Sequence, residues 1–214
     1  MKKAIILLPL LLCVASLIAF AAEAPAKPVA QELPVPKEAS SVTQHSVTID
    51  GQTIKYTATA GNLVVDNDKG DAIGSFFYVA YTKDGVKNPD HHSLTFLFNG
   101  GPGSSSIWLH MGSFGPVRVV TNDAKPTPPP PYDLVPNQYS LLNKSDLVFI
   151  DAIGTGYSRI VGKGTPKDFY GTDADIESFG KFIQRYLTVN NRWNSPKFLL
   201  GESYGTTRAA GLSD

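Results

Sequence analysis

Three short runs of apolar residues, each followed by a glycine-containing loop, constrain the fold of this chain more than any other feature. The runs cover residues 94–98, 147–150 and 198–200. Continuous apolar runs of this length are typical of strands that are buried on both faces of a sheet, and such strands are usually parallel. We therefore predict that the three runs form the parallel centre of one sheet.

A predicted amphipathic helix lies between the second and third runs. Its apolar face is formed, at helical spacing, by Ile176, Phe179, Ile183, Tyr186 and Leu187. Thr172 and Asp175 are predicted to form a capping box at its start. Strands that alternate with helices indicate an α/β fold, in which crossover helices connect the strands of a parallel sheet.

Two regions outside these elements carry their own signals. From residue 44 to residue 81 apolar and polar residues alternate, and Asp50-Gly51 is a strong hairpin signal, so we predict β-structure there. Residues 122–136 contain six prolines, which excludes a helix or a central strand. We interpret this segment as a surface loop, with a partner-binding polyproline segment as the alternative.

The first residues have the pattern of a signal peptide. Lys2 and Lys3 precede an apolar stretch, and Ala19-Phe20-Ala21 fits a small-x-small cleavage site. An uncleaved membrane anchor is the alternative, because the stretch approaches the length of a membrane span. The predicted organisation is a signal peptide at 1–21, an Ala/Pro-rich linker at 22–43 and one folded domain at 44–214. The mature protein would then be exported to a bacterial periplasm or secreted, without stable membrane association.

Charge and cysteine content exclude several classes of partner and site. The 19 Lys and Arg residues balance the 19 Asp and Glu residues, so nothing indicates binding to nucleic acid or to an acidic membrane surface. The single cysteine, Cys13, lies in the predicted signal peptide. The mature chain would therefore contain no disulfide bond and no metal site built on thiolates.

The strongest chemical signal directly follows the third apolar run. It is the G-x-S-x-G sequence Gly201-Glu202-Ser203-Tyr204-Gly205, and a potential helix comes after it. A serine nucleophile must project from a tight turn between a strand and a helix, and small neighbours allow the two elements to approach. The N-terminus of the helix would also stabilise developing negative charge. We predict that Ser203 is a nucleophile.

A glycine-rich loop follows the first apolar run in the same way, beginning at Asn99-Gly100-Gly101. In hydrolases whose nucleophile lies in such a strand–turn–helix segment, the oxyanion hole takes one N–H from the residue after the nucleophile and another from a loop after an earlier strand. Tyr204 would supply the first, and the Gly100-Gly101 backbone the second. A phosphate-binding loop is a weak alternative, because no G-x-x-x-x-G-K-[ST] sequence is present.

Together with three other segments, these two motifs resemble the serine carboxypeptidase family, which includes carboxypeptidase C and cathepsin A. The matching segments, in the family's order, are residues 99–105, 114–116, 137–140, 149–158 and 201–205. The resemblance covers roughly residues 90–214. It implies an α/β-hydrolase fold that is cut off after the nucleophile elbow, with the β-rich stretch before Ser93 as the antiparallel start of the sheet.

The resemblance also implies roles for individual residues. Ser203 would attack the scissile carbonyl, while the backbone N–H groups of Gly101 and Tyr204 would stabilise the oxyanion. The expected substrate-binding residues are Asn99, Gly100 and Glu202. Asn99 and Glu202 would bind the C-terminal carboxylate of a peptide. Two carboxyl groups share such a site only when one is protonated, so we expect the activity to favour acid pH.

Three positions depart from the family pattern. Leu97 stands where the family usually has Trp, and Ser113 stands where it often has a Glu that pairs with the residue equivalent to Glu202. Both changes weaken the expected carboxylate site but leave serine hydrolase chemistry intact. Ser104 replaces a usual cysteine, in keeping with a mature chain that lacks disulfides.

A general base for Ser203 is not evident in the sequence. In α/β-hydrolases the triad follows the order Ser, Asp, His, whereas every histidine of this chain precedes Ser203: His45, His91, His92 and His110. We interpret the last three as surface or loop residues and Asp151 as a loop residue at a strand end. The chain ends 11 residues after Ser203, so we expect the triad Asp and His to lie beyond Asp214 and the 214 residues alone to be nearly inactive.

The predicted function is that of a serine-type carboxypeptidase that releases C-terminal residues from peptides through an acyl-enzyme. No cofactor and no metal are expected, and the predicted partner is a peptide with a free C-terminus. The alternatives are an esterase or acyltransferase on the same scaffold, which needs the same nucleophile and oxyanion hole, and an inactive hydrolase-like binding protein.

Overall fold

The computed structural model of the protein describes residues 32–121, 125 and 129–214. The predicted signal peptide and residues 22–31 of the predicted linker lie outside the described residues, as do residues 122–124 and 126–128 of the predicted proline-rich loop. Within the described part of the chain, no helix is both long enough and apolar enough to cross a bilayer.

Most of the strands join one mixed sheet. The strands are β1 (Ser40–Ile49), β2 (Gln52–Asp66), β3 (Ala72–Lys83), β4 (Ser93–Phe98), β5 (Val117–Val119), β6 (Leu134–Pro136), β7 (Ser145–Ile150), β8 (Arg159–Ile160) and β9 (Lys197–Gly201). Their order across the main sheet is β1-β2-β3-β7-β4-β9, and β8 pairs with β3. The short strands β5 and β6 pair with each other in a separate sheet.

The main sheet changes from antiparallel to parallel at its centre. β1, β2, β3 and β7 pair antiparallel in that order, whereas β4 is parallel to β7 on one side and to β9 on the other. The three apolar runs therefore lie side by side in β7, β4 and β9, which confirms the predicted parallel centre. Because β9 is the last of the described strands at this edge, Phe198 is 54% exposed. The prediction that the third run is buried on both faces is wrong for this reason.

The helices pack against the sheet. They are α1 (Ile107–Leu109), which continues into a π-helical turn (His110–Phe114), α2 (Thr172–Val189) and α3 (Tyr204–Leu212). Helix α2 contacts antiparallel strands as well as β4, since Phe76 and Tyr78 of β3 pack against its aromatic residues. Short 3-10 turns occur at Pro89–His91, Leu141–Asn143 and Pro166–Asp168.

Two hydrophobic clusters form the core, one on each face of the sheet. Side chains alternate between the faces of a strand, so Phe96 and Phe98 of β4 pack in the cluster that includes Phe179 of α2, whereas Leu97 packs in the cluster that includes Phe149 and Leu109. Of these six side chains, all except Leu109 are at most 1% exposed. Full burial of a side chain of this size contributes about 1.5–3 kcal/mol to folding, so α2 is held firmly against the strands that precede the glycine loops.

The start of α2 differs from the sequence prediction. The residue that caps the helix is Gly171, without a side-chain hydrogen bond, and Thr172 is already helical. The Asp175 carboxylate does not cap the backbone, because it is engaged by the buried side chain of Arg208. A capping box does form earlier in the chain, between Thr165 and Asp168 at the separate 3-10 turn Pro166–Asp168.

The folded unit reaches further toward the N-terminus than the predicted boundary at residue 44. β1 already begins at Ser40. The Glu38 carboxylate accepts a hydrogen bond of 2.8 Å from the backbone of Val64, and Leu33 forms a β-bridge with Gly162. This part of the predicted linker is therefore packed on the domain.

The end of the proline-rich segment is also ordered. β6 comprises its last three residues, Leu134–Pro136, and pairs antiparallel with β5. Since β6 lies outside the main sheet, the expectation that this segment forms no helix and no central strand holds for its described residues.

Candidate active site

Ser203 lies at a sharp turn between β9 and α3. Its backbone angles are φ 56° and ψ −125°, a region that costs a residue other than glycine about 1–3 kcal/mol. Gly201 allows the strand and the helix to approach, because a Cβ atom on it would overlap the carbonyl oxygen of Gly205 and lie 2.8 Å from the backbone nitrogen of Thr206. Ser203 is exposed. The strand–turn–helix context is as predicted, and the nucleophilic role of Ser203 stays a prediction.

The glycine loop after β4 lies directly against this turn. Phe98 of β4 is in register with Gly201 of β9, and the strands are parallel, so the loops that follow them leave the sheet at the same edge. A Cβ atom on Gly100 would overlap the backbone nitrogen of Tyr204 and lie 2.7 Å from the carbonyl oxygen of Glu202. Only glycine at position 100 allows the two loops to be this close.

Both loops face one cleft of about 400 Å³, called the Ser203 cleft below. The cleft is lined by Asn99, Gly101, Ser104, Trp108, Leu109, Ser113, Glu202 and Ser203. The structure therefore brings the predicted nucleophile together with one predicted oxyanion donor, Gly101, and with both predicted carboxylate-binding residues. Trp108, which the sequence reasoning did not select, is 69% exposed and adds an aromatic surface to the cleft.

Asn99 is held in one orientation within this cleft. Its Oδ1 atom accepts a hydrogen bond of 3.1 Å from the backbone N–H of Leu109, which identifies the other terminal atom as the amide nitrogen. That nitrogen, Nδ2, donates a hydrogen bond of 2.9 Å to Oε2 of Glu202. Among the described residues, the second N–H of this amide has no other acceptor, so it can donate to a ligand carboxylate.

Glu202 differs from the sequence-based expectation. We expected Glu202 to be buried and the substrate to bring the second carboxyl group, but the residue is exposed; Ser113, which also lines the Ser203 cleft, brings no carboxyl group, as its identity implies. Within the described residues that line the cleft, Glu202 bears the single carboxyl group. A preference for acid pH therefore rests on the carboxylate that a substrate would bring.

A second cavity of about 340 Å³ borders Tyr204. Its walls are mostly apolar and come from the glycine loop (Pro102), from the loop after β7 (Ile153) and from the segment before α2 (Phe169 and Tyr170). This cavity offers room for an apolar side chain next to the nucleophile turn.

Asp151 directly follows β7 and forms hydrogen bonds with the end of the glycine loop. It is 8% exposed, and its Oδ1 atom accepts hydrogen bonds from the backbone N–H of Ser106 at 2.8 Å and from the Ser106 hydroxyl at 2.9 Å. The carboxylate thereby ties the end of the glycine loop, where α1 begins, to the neighbouring parallel strand. The structure places Asp151 in a strand-end loop, as the sequence interpretation had it.

Sequence reasoning missed Arg208, which lies behind the site and is completely buried. Its guanidinium group contacts the backbone of Asn99 and the ring of Tyr204. One signal could have identified it: residues three apart share one face of a helix, and Gly205, three residues before Arg208, lies against the backbone of Phe98.

His91, His92 and His110 were interpreted as surface or loop residues, and for His110 this is wrong. His92 lies in the loop before β4, as interpreted, and is partly exposed; its Nε2 atom lies 3.1 Å from the Asp146 carboxylate. His110 is packed between two aromatic rings: a hydrogen bond of 2.6 Å joins its Nε2 atom to the Tyr81 hydroxyl, and its ring stacks on Phe149 at 4.6 Å. Among the described residues, no histidine forms a hydrogen bond with the Ser203 hydroxyl.

The burial of His110 predicts a loss of stability in acid. Burial lowers the pKa of His110 from its usual 6.5 to about 4. Between these two pH values His110 binds a proton in the unfolded chain but not in the folded protein. The contribution of neutral His110 to the free energy of unfolding is therefore fully present above pH 6.5 and is lost as the pH falls toward 4. The loss over this window is on the order of 3 kcal/mol. Urea unfolding of the His110→Gln variant should show a much weaker pH dependence than the wild type.

The exposed His45 provides the matched control for this measurement. Because His45 is exposed on β1, His45→Gln should retain the full pH dependence of the wild type. An unchanged pH dependence in His110→Gln would show that other groups cause the acid instability.

Comparisons with known proteins show what this sequence resembles. A family model described as serine carboxypeptidase matches residues 49–213. Pheromone-processing carboxypeptidase KEX1 of Saccharomyces cerevisiae is 35% identical over 136 residues, and the match covers 60% of this chain and 17% of that protein. Serine carboxypeptidase-like 45 of Arabidopsis thaliana is 31% identical over 177 residues, which is 77% of this chain and 34% of that protein. The chain thus spans a minor part of the length of these relatives.

Solved structures are similar in fold as well. The crystal structure of a prohormone-processing carboxypeptidase, KEX1, from Saccharomyces cerevisiae superposes with a TM-score of 0.54 and 24% sequence identity, covering 74% of this chain and 33% of that chain. At this identity the likeness shows the fold alone. Together with the mixed sheet it confirms the predicted fold, the N-terminal part of an α/β-hydrolase.

Proposed function

The chain belongs to the serine carboxypeptidase family, and from this premise we propose that the full-length protein containing it is a serine-type carboxypeptidase. It would release C-terminal residues from peptides through an acyl-enzyme formed on Ser203. The proposal also includes export of the mature protein to a bacterial periplasm or beyond. Family membership is compatible with export, and the N-terminal sequence supports it.

In the proposed reaction, the Ser203 hydroxyl attacks the carbonyl carbon of the last peptide bond. The N–H groups of Gly101 and Tyr204 stabilise the negative charge that develops on the carbonyl oxygen. A general base takes the hydroxyl proton and later gives it to the departing amino group, after which water hydrolyses the acyl-enzyme. Among the described residues no histidine is hydrogen-bonded to Ser203, and His92 and His110 bond to Asp146 and Tyr81 instead. In this proposal the base comes from another part of the full-length protein.

One observation carries this proposal: Asn99 and Glu202 are hydrogen-bonded to each other in the cleft that also holds Ser203. An amide N–H donates to a carboxylate at any pH, whereas Glu202 donates only while it is protonated. Such a pair next to a nucleophile suits the free C-terminal carboxylate of a peptide. The departing residue would lie against Trp108, and the side chain of the residue before it would enter the cavity that borders Tyr204.

Replacing Asn99 with alanine in the full-length protein tests this proposal. A hydrogen bond to a charged group is worth roughly 1.5–3 kcal/mol, so kcat/KM for peptides with free C-termini should fall roughly 10- to 100-fold. Peptides with an amidated C-terminus and simple esters should lose little, because they bring no carboxylate. Steady-state kinetics on matched free and amidated peptides measures the difference. Equal losses on all substrates would contradict carboxylate recognition by Asn99.

An esterase or acyltransferase is the second candidate, and specific observations favour it. Leu97 and Ser113 replace two groups that support the carboxylate site in the family, and Glu202 is exposed. The residues Leu97 and Ser113 weaken selection for a free C-terminus but leave Ser203 and the proposed oxyanion donors in place. For an esterase, the wild type would hydrolyse esters efficiently and would discriminate little between free and amidated peptides.

A further inference from the structure

Arg208 on α3 carries a charge into the core of the domain. Its side chain is 0% exposed, and burying an unpaired charge is strongly unfavourable. The residues that contact the Arg208 guanidinium group therefore offset the cost of burying its charge, and they indicate its role. The guanidinium group makes three kinds of contact, each with a different segment of the chain.

The first contact anchors α3 to α2. The Nε and Nη2 atoms of Arg208 donate to the two carboxylate oxygens of Asp175, at 2.8 Å and 3.0 Å. Bidentate pairing of this kind fixes the plane of the guanidinium group as well as its position. The plane is further held by the ring of Phe179, whose centroid lies 4.0 Å from the Arg208 Cζ atom.

The second and third contacts reach the two loops of the site. The Nη1 atom of Arg208 donates a hydrogen bond of 2.9 Å to the carbonyl oxygen of Asn99, the residue that leads into Gly100 and Gly101. The Arg208 Cζ atom also lies 5.4 Å from the ring centroid of Tyr204. One rigid group thus contacts the segments that carry the two proposed oxyanion donors.

We propose that Arg208, held by Asp175, is a positioning residue that sets the distance between the backbone N–H groups of Gly101 and Tyr204. The inference rests on the proposed function, since it assigns a role within that same site. Arg208 does not line the Ser203 cleft, so it acts through the backbone and touches no substrate. Because an oxyanion hole serves every acyl substrate, its loss should lower kcat for esters and for peptides alike.

A purely structural role for the ion pair makes a different prediction. Removing one partner of a buried pair leaves the other charge uncompensated and destabilises the protein, whereas replacing both with apolar residues of similar volume is often neutral for stability. If the pair only held the fold together, activity would return together with stability. If Arg208 positions the oxyanion donors, stability would return and activity would not.

The experiment compares three variants of the full-length protein with the wild type: Arg208→Met, the double variant Arg208→Met with Asp175→Leu, and the control Arg185→Met. The control removes Arg185 of α2 from its ion pair with Glu38, which precedes β1. For each, we would measure the Tm, and kcat and KM on an ester, a free peptide and an amidated peptide. A 1 Å displacement of reacting groups costs roughly 100-fold in rate. We expect Arg208→Met to lower kcat by roughly 10- to 100-fold on all three substrates, with KM changed by less than about threefold.

The double variant should regain most of the Tm that the single variant loses, while its kcat stays low, and Arg185→Met should behave as the wild type. A wild-type kcat in Arg208→Met, recovery of kcat together with Tm, or a loss confined to the free peptide would each overturn the inference. The Ser203→Ala variant distinguishes failure of the Arg208 inference from failure of the proposed function. If Ser203→Ala is as active as the wild type, both proposals are overturned; if it is inactive while Arg208→Met is not, this inference alone is wrong.

Discussion

Replacing Ser203 with alanine in the full-length protein is expected to lower kcat by roughly 10⁴- to 10⁶-fold on esters and peptides, with little change in KM. The hydroxyl is the atom that bonds to the substrate carbonyl in the proposed reaction, so no other group compensates for its loss. The residual rate would come from the oxyanion donors and from substrate binding. Steady-state kinetics on an activated ester and on a peptide with a free C-terminus measures the change in kcat and KM.

Covalent labelling provides an independent readout of the same prediction. A fluorophosphonate should attach to the wild type at Ser203, as identified by mass spectrometry of the peptide, and should leave Ser203→Ala unlabelled. Ser213→Ala is the matched control, because Ser213 is exposed at the C-terminal end of α3. Labelling at another residue, or activity that survives in Ser203→Ala, would refute the assignment.

Replacing Gly100 with alanine is expected to lower kcat by roughly 10²- to 10³-fold, the loss that follows removal of one oxyanion donor. The added Cβ atom would overlap the backbone nitrogen of Tyr204 and lie 2.9 Å from that of Gly205. These are backbone atoms on the nucleophile turn, so they cannot rotate away as a flexible side chain would. The two loops must separate, which moves the donor N–H groups apart.

Gly112→Ala is the matched control for this substitution. Gly112 lies in the π-helical turn, and a Cβ atom there would meet nothing within 4 Å. We expect its kinetics to equal those of the wild type. Similar losses in both variants would mean that the effect of Gly100→Ala does not arise from contact with the nucleophile turn. Thermal melting of each variant separates loss of folded protein from loss of turnover.

The sequence was informative where local pattern and physical need coincide. The apolar runs identified the central strands, because a strand covered on both faces must be continuously apolar. The nucleophile turn and the glycine loop could be located because tight turns and close backbone contacts require glycine, which is visible in the sequence. Both motifs directly follow strands, so parallel pairing of β4 and β9 was sufficient to bring them together.

The sequence was misleading where a long-range partner decides the role of a residue. Asp175 has the right spacing for a capping box, but Arg208 competes successfully for its carboxylate from 33 residues away. His110 stands in a segment of loop-like composition, and its burial depends on Tyr81 and Phe149, which lie on two other strands. Phe198 looked like a core residue because its exposure depends on the position of β9 at the sheet edge.

The contact between the two loops has a consequence for when the protein can be active. Asn99 and Glu202 are 103 residues apart in the chain, and they meet only after β4 and β9 have paired. Pairing over such a distance belongs to the slow, late steps of folding. The proposed oxyanion hole therefore exists only in the assembled domain. Under the proposed export and function, a chain that crossed a membrane unfolded would carry no hydrolase activity until it had folded on the far side.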